Sequence, residues 1–256
     1  MNLIFKTIKY FIFTVFFFTN FAFAEVIKKI EVEGNKRISK ETIKVYGDIK
    51  LDNNYSSNDI NRIIKDLYST NFFEDINIVI SSGTLKISLK EYPLINSIEL
   101  VGEKSSKIKE AILEMISSKE KGSFIKNMIN QDVITIKKLY ASVGYNFTEV
   151  ETKIEKFSKN RLKLIIKVDK GSQTKISKIY FTGEKKIRER RLRDVIVSEE
   201  DKFWKVLSKN TKLNYNNIDL DKRLLVKYYK SVGYYDAQVL SSNAEIGSDN
   251  MTSLTY

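Results

Sequence analysis

Side chains capable of chemistry are few and poorly supported in this sequence. The acidic clusters are Glu199-Glu200-Asp201 and the pair Asp219 and Asp221. Grouped carboxylates can hold a divalent cation or divide acid and base roles between them. They would need help that is missing, because the chain has no histidine and no cysteine. Ser-His-Asp and Cys-His constellations, His-ligated metals, zinc fingers, thiol nucleophiles and disulfides are all excluded. There is no Gly-rich phosphate loop and no P-loop lysine motif. The acids fall on an expected loop and an expected exposed helix face, where solvated surface is their plain reading. The densest basic run, Lys185–Arg193, reads as a solvated helix face with Glu189 interspersed, or as a contact for an anionic partner or lipid headgroup. No catalytic residue, metal ligand or cofactor site is assigned.

Composition fits a folded chain: 42% hydrophobic and 30% charged residues over 256 positions, with a net charge of +12. The first 24 residues stand apart. Lys6 and Lys9 precede the apolar run Phe11–Phe18, and Ala22-Phe23-Ala24 supplies a small-x-small cleavage pattern. This predicts a secretory signal peptide over residues 1–24, cut between Ala24 and Glu25. Its removal leaves 232 residues, and the loss of two lysines takes the charge from +12 to +10. Export removes the ordinary reason for a basic chain to bind nucleic acid.

Self-similarity organises the remainder. Ile27-Lys-Lys-Ile30-Glu-Val32-Glu-Gly34 returns 68 residues later as Ile95-Asn-Ser-Ile98-Glu-Leu100-Val-Gly102, and a further 81 later as Ile176-Ser-Lys-Ile179-Tyr-Phe181-Thr-Gly183. Each reads as a short strand closed by a glycine that can take positive φ. A second landmark follows each strand: Leu67-Tyr68 before Asn71, Leu139-Tyr140 before Gly144, and Tyr228-Tyr229 before Gly233. Apolar stripes lead into them: Ile60, Ile63, Ile64 and Leu67; Ile129, Val133, Ile136 and Tyr140; Leu220, Leu224 and Tyr228. Asn71, Gly144 and Gly233 suit left-handed helix ends, with Asn71 in a version one residue shorter, and the next aromatic can pack back on the last turn. Ile108, Ala111, Ile112, Met115 and Ile116 mark an earlier helix, and Ser39 is a candidate N-cap. Two strand-like segments close each unit. They are Ile76–Ile80 and Leu85–Leu89, then Val150–Ile154 and Leu162–Val168, then Asp236–Leu240 and Met251–Tyr256. The order is β-α-α-β-β three times, an α+β arrangement of three-stranded sheets each covered by two helices.

These landmarks resemble the polypeptide-transport-associated (POTRA) domains of the Omp85 family. The junction Asn71-Phe72-Phe73-Glu74-Asp75-Ile76, the handover Lys90-Glu91-Tyr92-Pro93-Leu94-Ile95, and Phe203-Trp204-Lys205-Val206 carry the likeness. The resemblance implies a tandem array with POTRA 1 at 25–92, POTRA 2 at 93–171 and POTRA 3 at 172–256, the last truncated in its final strand. Family members normally continue into further domains and a barrel, so the sequence is read as the N-terminal portion of a longer protein with no barrel of its own. Expected partners are unfolded outer-membrane proteins, barrel-assembly lipoproteins and a periplasmic chaperone. The outer membrane would be reached through a barrel outside this sequence, from its periplasmic face. Transporters of the same family for autotransporter assembly or two-partner secretion, or a free periplasmic scaffold, are the neighbouring readings.

From family topology, the first strand of each closing hairpin is an exposed edge suited to β-augmentation. The contact strand expected is Asp236, Ala237, Gln238, Val239 and Leu240, with Leu240 serving folding more than binding if its side chain faces the helices. A second edge is expected at Ile76, Asn77, Ile78 and Val79. Gly34, Gly102, Gly183, Asn71, Gly144 and Gly233 are structural positions of the repeat.

Overall fold

The computed structural model describes residues 25–256 apart from 184–185, 206–207, 209 and 248. The expected signal peptide, including Ala24 at its expected cleavage point, lies outside the described residues. The chain divides into two compact units at Tyr92/Pro93.

In the first unit, β1 (Glu25–Val26) pairs with β3 (Asn54–Tyr55). The main sheet is β2 (Lys29–Glu33), β5 (Thr84–Glu91) and β4 (Phe73–Ser81), with β5 in the centre, parallel to β2 and antiparallel to β4. Helices α1 (Lys40–Tyr46) and α2 (Ser57–Ser69) supply the cover. Both begin for local reasons. The Ser39 side chain accepts the Thr42 N–H, and Ser56 with Asp59 forms a reciprocal capping box. Ile43, Ile63 and Leu67 from the helices meet Ile30, Leu85 and Ile87 from the sheet in one core.

The second unit holds two more sheets of the same plan. One is β6 (Leu94–Val101), β8 (Arg161–Asp169) and β7 (Glu149–Ser158), with α3 (Ser106–Met115) and α4 (Lys126–Ser142). The other is β9 (Lys175–Tyr180), β11 (Met251–Thr255) and β10 (Asn243–Ile246), with α5 (Glu189–Arg193) and α6 (Tyr215–Ser231). Their centre strands, β8 and β11, are again parallel to one neighbour and antiparallel to the other. The architecture is therefore α+β, three mixed three-stranded sheets with helices. Among the described residues no sheet closes into a barrel and no helix is long and apolar enough to cross a membrane.

The helical stripe of α6 runs in a different phase from the one expected: its buried residues are Ile218, Asp221 and Leu225, whereas Leu220, Leu224 and Tyr228 are only half-buried. In α4 the expected Ile129, Ile136 and Tyr140 are buried and Val133 packs on the core, with Asp132 buried beside them. An aspartate therefore sits inside each apolar face. Asp132 accepts the Ser117 and Ser118 N–H groups at 2.6 and 2.9 Å. Asp221 accepts the Val197 and Ser198 N–H groups and, at 2.7 Å, the Tyr256 hydroxyl. Each carboxylate satisfies the backbone where the first helical segment of its module ends, which is how a buried charge is tolerated. Asp221 is thus a buried staple and not the solvated acid expected.

The helix ends also correct the sequence alignment. Buried Leu67, Tyr140 and the half-buried Tyr229 each stand four residues before a left-handed residue: Asn71 (φ 57°), Gly144 (φ 92°) and Gly233 (φ 97°). The first copy is not shorter; its matching residue is Leu67 and not Tyr68. Tyr145 and Tyr234 then pack edge-on against Tyr140 and Tyr229, with ring centroids 6.2 and 5.9 Å apart.

The second and third modules are joined by side-chain amides. Asn146 Nδ2 donates to Gly144 O (3.2 Å) and to Leu213 O (3.1 Å), and Asn214 Nδ2 donates to Ser142 O (2.9 Å). Gln173 Nε2 reaches Val143 O at 3.0 Å, and the Thr174 N–H reaches Gly144 O at 2.9 Å.

Candidate partner-binding edges

Each sheet leaves its hairpin strand on the outside, and the three edges differ. In β4, Phe73 and Ile76 turn inward while Asn77 and Val79 face solvent. Ile76–Val79 therefore lies on an edge strand. That edge is partly guarded, because the Ile76 N–H donates to the Tyr68 hydroxyl of α2 at 3.2 Å. A visiting strand would have to displace this phenol to take the same donor.

Strand β7 is the most open of the three and was not singled out in the sequence. Of its ten residues only Val150 is buried, and Ile154 and Phe157 are exposed. Its signal was the alternation of lysine, glutamate and apolar residues from Glu149 to Ser158, which puts no face firmly in a core. Neighbouring charges pair, Lys153 with Glu155 (3.4 Å) and Glu151 with Lys167 (3.7 Å). These exposed pairs add little stability, but charges along an edge discourage indiscriminate pairing.

In the third module the expected strand is displaced. Asp236 lies in a turn, and residues 237–240 run without strand pairing; the edge strand is Asn243–Ile246. Its pairing runs from Asn243 opposite Thr255 to Ile246 opposite Thr252. Residues 236–240 pack as a flap. Val239 touches the third core, while Leu240 does not face the helices and is 91% exposed. Asp236–Ser241 borders a groove of about 480 Å³ whose other wall includes Phe181, Thr182 and Gly183 and whose floor includes Leu225 and Tyr229. On β10 itself the Gly247 N–H bonds Met251 O, so Glu245 and Asn243 continue that bonded series and the N–H groups of Ala244 and Ile246 point outward.

The repeat glycines lie at strand ends with φ of 86° (Gly34), 96° (Gly102) and 88° (Gly183). At Gly34 and Gly102 the requirement is also steric. A Cβ there would stand 2.0 Å from the carbonyl oxygen of Leu89 or of Val168. Glu25, on the far side of the expected cleavage point, opens β1 opposite Tyr55.

The remaining candidate acids serve the fold. Glu199 meets Lys205 at 2.9 Å, Glu200 meets Arg193 and Lys202 at 3.5 Å each, and Asp201 meets Lys175 at 3.0 Å. Asp219 pairs with Lys222 on exposed helix. Among the described residues no group of three or more His, Cys, Asp or Glu side chains is placed to hold a metal ion. Part of the basic run is also engaged within its own module. Arg191 Nε donates to the Tyr228 hydroxyl at 3.1 Å, and Arg193 Nη2 donates to Ile179 O and pairs with Glu189. Lys185 lies outside the described residues.

Buried carboxylates in the first two modules complete the polar network. Glu91 accepts the N–H groups of Lys36, Arg37 and Ile38 at 2.8–2.9 Å. Glu103 accepts those of Lys104 and Ser105 at 2.8 Å, and the Tyr140 hydroxyl at 2.6 Å. Desolvation pushes the Glu103 carboxyl up, but the three hydrogen bonds and Lys170 outweigh it and hold it below the usual carboxylate range. Burial and the same carboxylate push the Tyr140 phenol well above its ordinary value.

Comparison with known proteins agrees with the repeat plan. The chain is 28% identical over 226 residues to the outer membrane protein assembly factor BamA of Neisseria meningitidis, covering 87% of this chain and 28% of that protein. It is 24% identical over 220 residues to the protein of the same name from Neorickettsia risticii, covering 86% and 30%. The chain thus spans about three-tenths of the length of these curated relatives. Among solved structures, POTRA domains 3–5 of Haemophilus influenzae BamA match at a TM-score of 0.43 and 16% identity, covering 91% of this chain and 95% of that one. The N-terminal domain of Omp85 from Thermosynechococcus elongatus matches at 0.44 and 14%, covering 90% and 94%. The POTRA family model, described as a surface antigen variable number repeat, matches residues 93–171 and 174–256. That is more than half of the chain, and the chain belongs to the POTRA family.

Proposed function

We propose that these modules are the periplasmic POTRA array of an outer-membrane β-barrel assembly factor, receiving unfolded outer-membrane proteins and accessory subunits by β-augmentation. The observation that carries the reading is the outward pair of donors on β10, Ala244 and Ile246, on a short edge strand with one paired neighbour. A strand laid against them gains backbone hydrogen bonds whatever its side chains, which suits a receptor for many clients. The contact in the third module is centred on Asn243–Ile246, with Asp236–Leu240 as the flap leading into it. Ile76–Val79 is a second edge, and β7 is a third with the longest open face. The names of the relatives support the assembly role, and the export signal expected over residues 1–24 supports the location.

The test is proline at an outward donor. Ala244→Pro removes one N–H and obstructs an added strand, at an edge position that tolerates proline. The circular dichroism melt should stay close to the parent's, and affinity for a synthetic peptide copying an outer-membrane barrel strand should fall about tenfold. Equal affinity after proline substitution in each of β4, β7 and β10 would refute augmentation.

A further inference from the structure

We propose that the turn bearing Phe203 and Trp204 is a membrane-surface contact that seats its two aromatic rings among the headgroups of an anionic phospholipid bilayer. The turn lies in the loop between α5 and α6. The Lys205 N–H bonds Lys202 O at 2.8 Å, which puts Phe203 and Trp204 at the two central positions of a closed turn. Phe203 is 86% exposed, more than any other described aromatic, and Trp204 is 64% exposed. The rings pack edge-on against each other, centroids 4.5 Å apart, and neither joins the third core. The base of the loop is fixed: the Glu199 N–H bonds Asn210 O at 3.0 Å and the Asp201 N–H bonds Ile176 O at 2.7 Å. A firmly held turn that projects a Phe-Trp pair into solvent presents apolar surface that its own module does not bury.

The charges around it select the occupant. Lys202 and Lys205 flank the rings, with Lys202 Nζ 5.7 Å from the Trp204 ring centre. The three neighbouring carboxylates are each met by a cation of the same module, including Lys175 and Arg193 from outside the turn. The Lys205 ammonium leads in holding the Glu199 carboxyl below the usual range, so that acid stays ionised and paired. Excess negative charge is thus cancelled beneath the tip. Aromatic rings with adjoining ammonium groups match the bilayer interface, where rings sit at headgroup depth and cations meet anionic lipid. The proposal goes beyond the strand-edge reading and does not require any edge to bind.

The chain supplies its own probe, since Trp204 is its single tryptophan. The protein to use is residues 25–256, which contain all three sheets and cores. With vesicles of equal parts phosphatidylcholine and phosphatidylglycerol at low salt, Trp204 emission should move to shorter wavelength and be quenched by brominated acyl chains. Vesicle co-sedimentation should fall on the order of tenfold in the double variant Phe203→Ser, Trp204→Ser, with an unchanged melt. Ala244→Pro should leave vesicle binding intact, which separates this surface from the edge. Unchanged emission and no quenching in the parent, or equal co-sedimentation of the double variant, would overturn the proposal. So would an emission shift produced by a barrel-strand peptide but not by vesicles, which would make the turn a protein contact.

Discussion

Within the second module two left-handed glycines stand in different surroundings. At Gly102 the centre strand β8 runs on beneath the corner and puts the Val168 carbonyl oxygen 2.0 Å from where a Cβ would go. At Gly171 (φ 60°) the nearest atom to a Cβ would be the Phe147 carbonyl oxygen, at an ordinary 4.0 Å. Both conformations are left-handed; the steric demand differs. A glycine can thus mark a positive φ without marking a close contact.

The largest expected effect tests that contrast directly. Gly102→Ala drives a Cβ into a ladder carbonyl as well as straining φ, and should destabilise the second module by about 4 kcal/mol or more. Gly171→Ala carries only the conformational penalty of a left-handed residue, about 1 kcal/mol. Hydrogen exchange of the β7 and β8 amides measures both, and equal losses would erase the distinction between the two glycines.

The next effect compares the buried aspartates. Asp221→Ala strands two N–H groups and the Tyr256 hydroxyl, whereas Asp132→Ala strands two N–H groups only. The losses should be about 3 and about 2 kcal/mol by chemical denaturation, and the reverse order would show that Tyr256 gains nothing from its carboxylate.

The smallest effect is a pH slope. Because the folded-state carboxyl of Glu103 lies below its ordinary range, its stabilisation is complete above the unfolded value and is lost as pH falls through the folded one. Glu103→Gln should cost about 1 kcal/mol near neutrality, and the gap to the parent should narrow as the pH drops below the usual carboxylate range. Glu103→Gln should reduce the slope at the β6–β8 amides and leave the slope at the β9–β11 amides as in the parent.

The repeat plan was legible because strand, glycine and helix-end signals are local and recur three times. The details that were missed share one physical origin: they depend on what stands opposite. Asp132 and Asp221 look like surface residues by type, and in α6 the buried face departs from the apparent stripe. Leu220, Leu224 and Tyr228 keep a plausible spacing while Ile218 and Leu225 go inside. Asp236–Leu240 has a strand-like composition, yet the paired residues of this hairpin strand are Asn243–Ile246. Strand β7 was expected as an edge only through family topology, since exposure on both faces blurs the alternation by which half-buried strands are read.

The amide junction between α4 and the third module sets a rule for dissecting or recombining such arrays. Asn146 and Asn214 each satisfy a carbonyl belonging to the other side, and Gly144 O receives both the Asn146 side-chain amide and the Thr174 backbone N–H. A chimera cut at the Gly171-Ser172 boundary would keep both sheets whole and still leave Ser142 O and Leu213 O without their donors. The smallest transplantable piece is therefore larger than one module: a donor third module has to travel with the Ser142–Asn146 turn of the module before it, or be matched to a host whose helix ends in an asparagine at the same place.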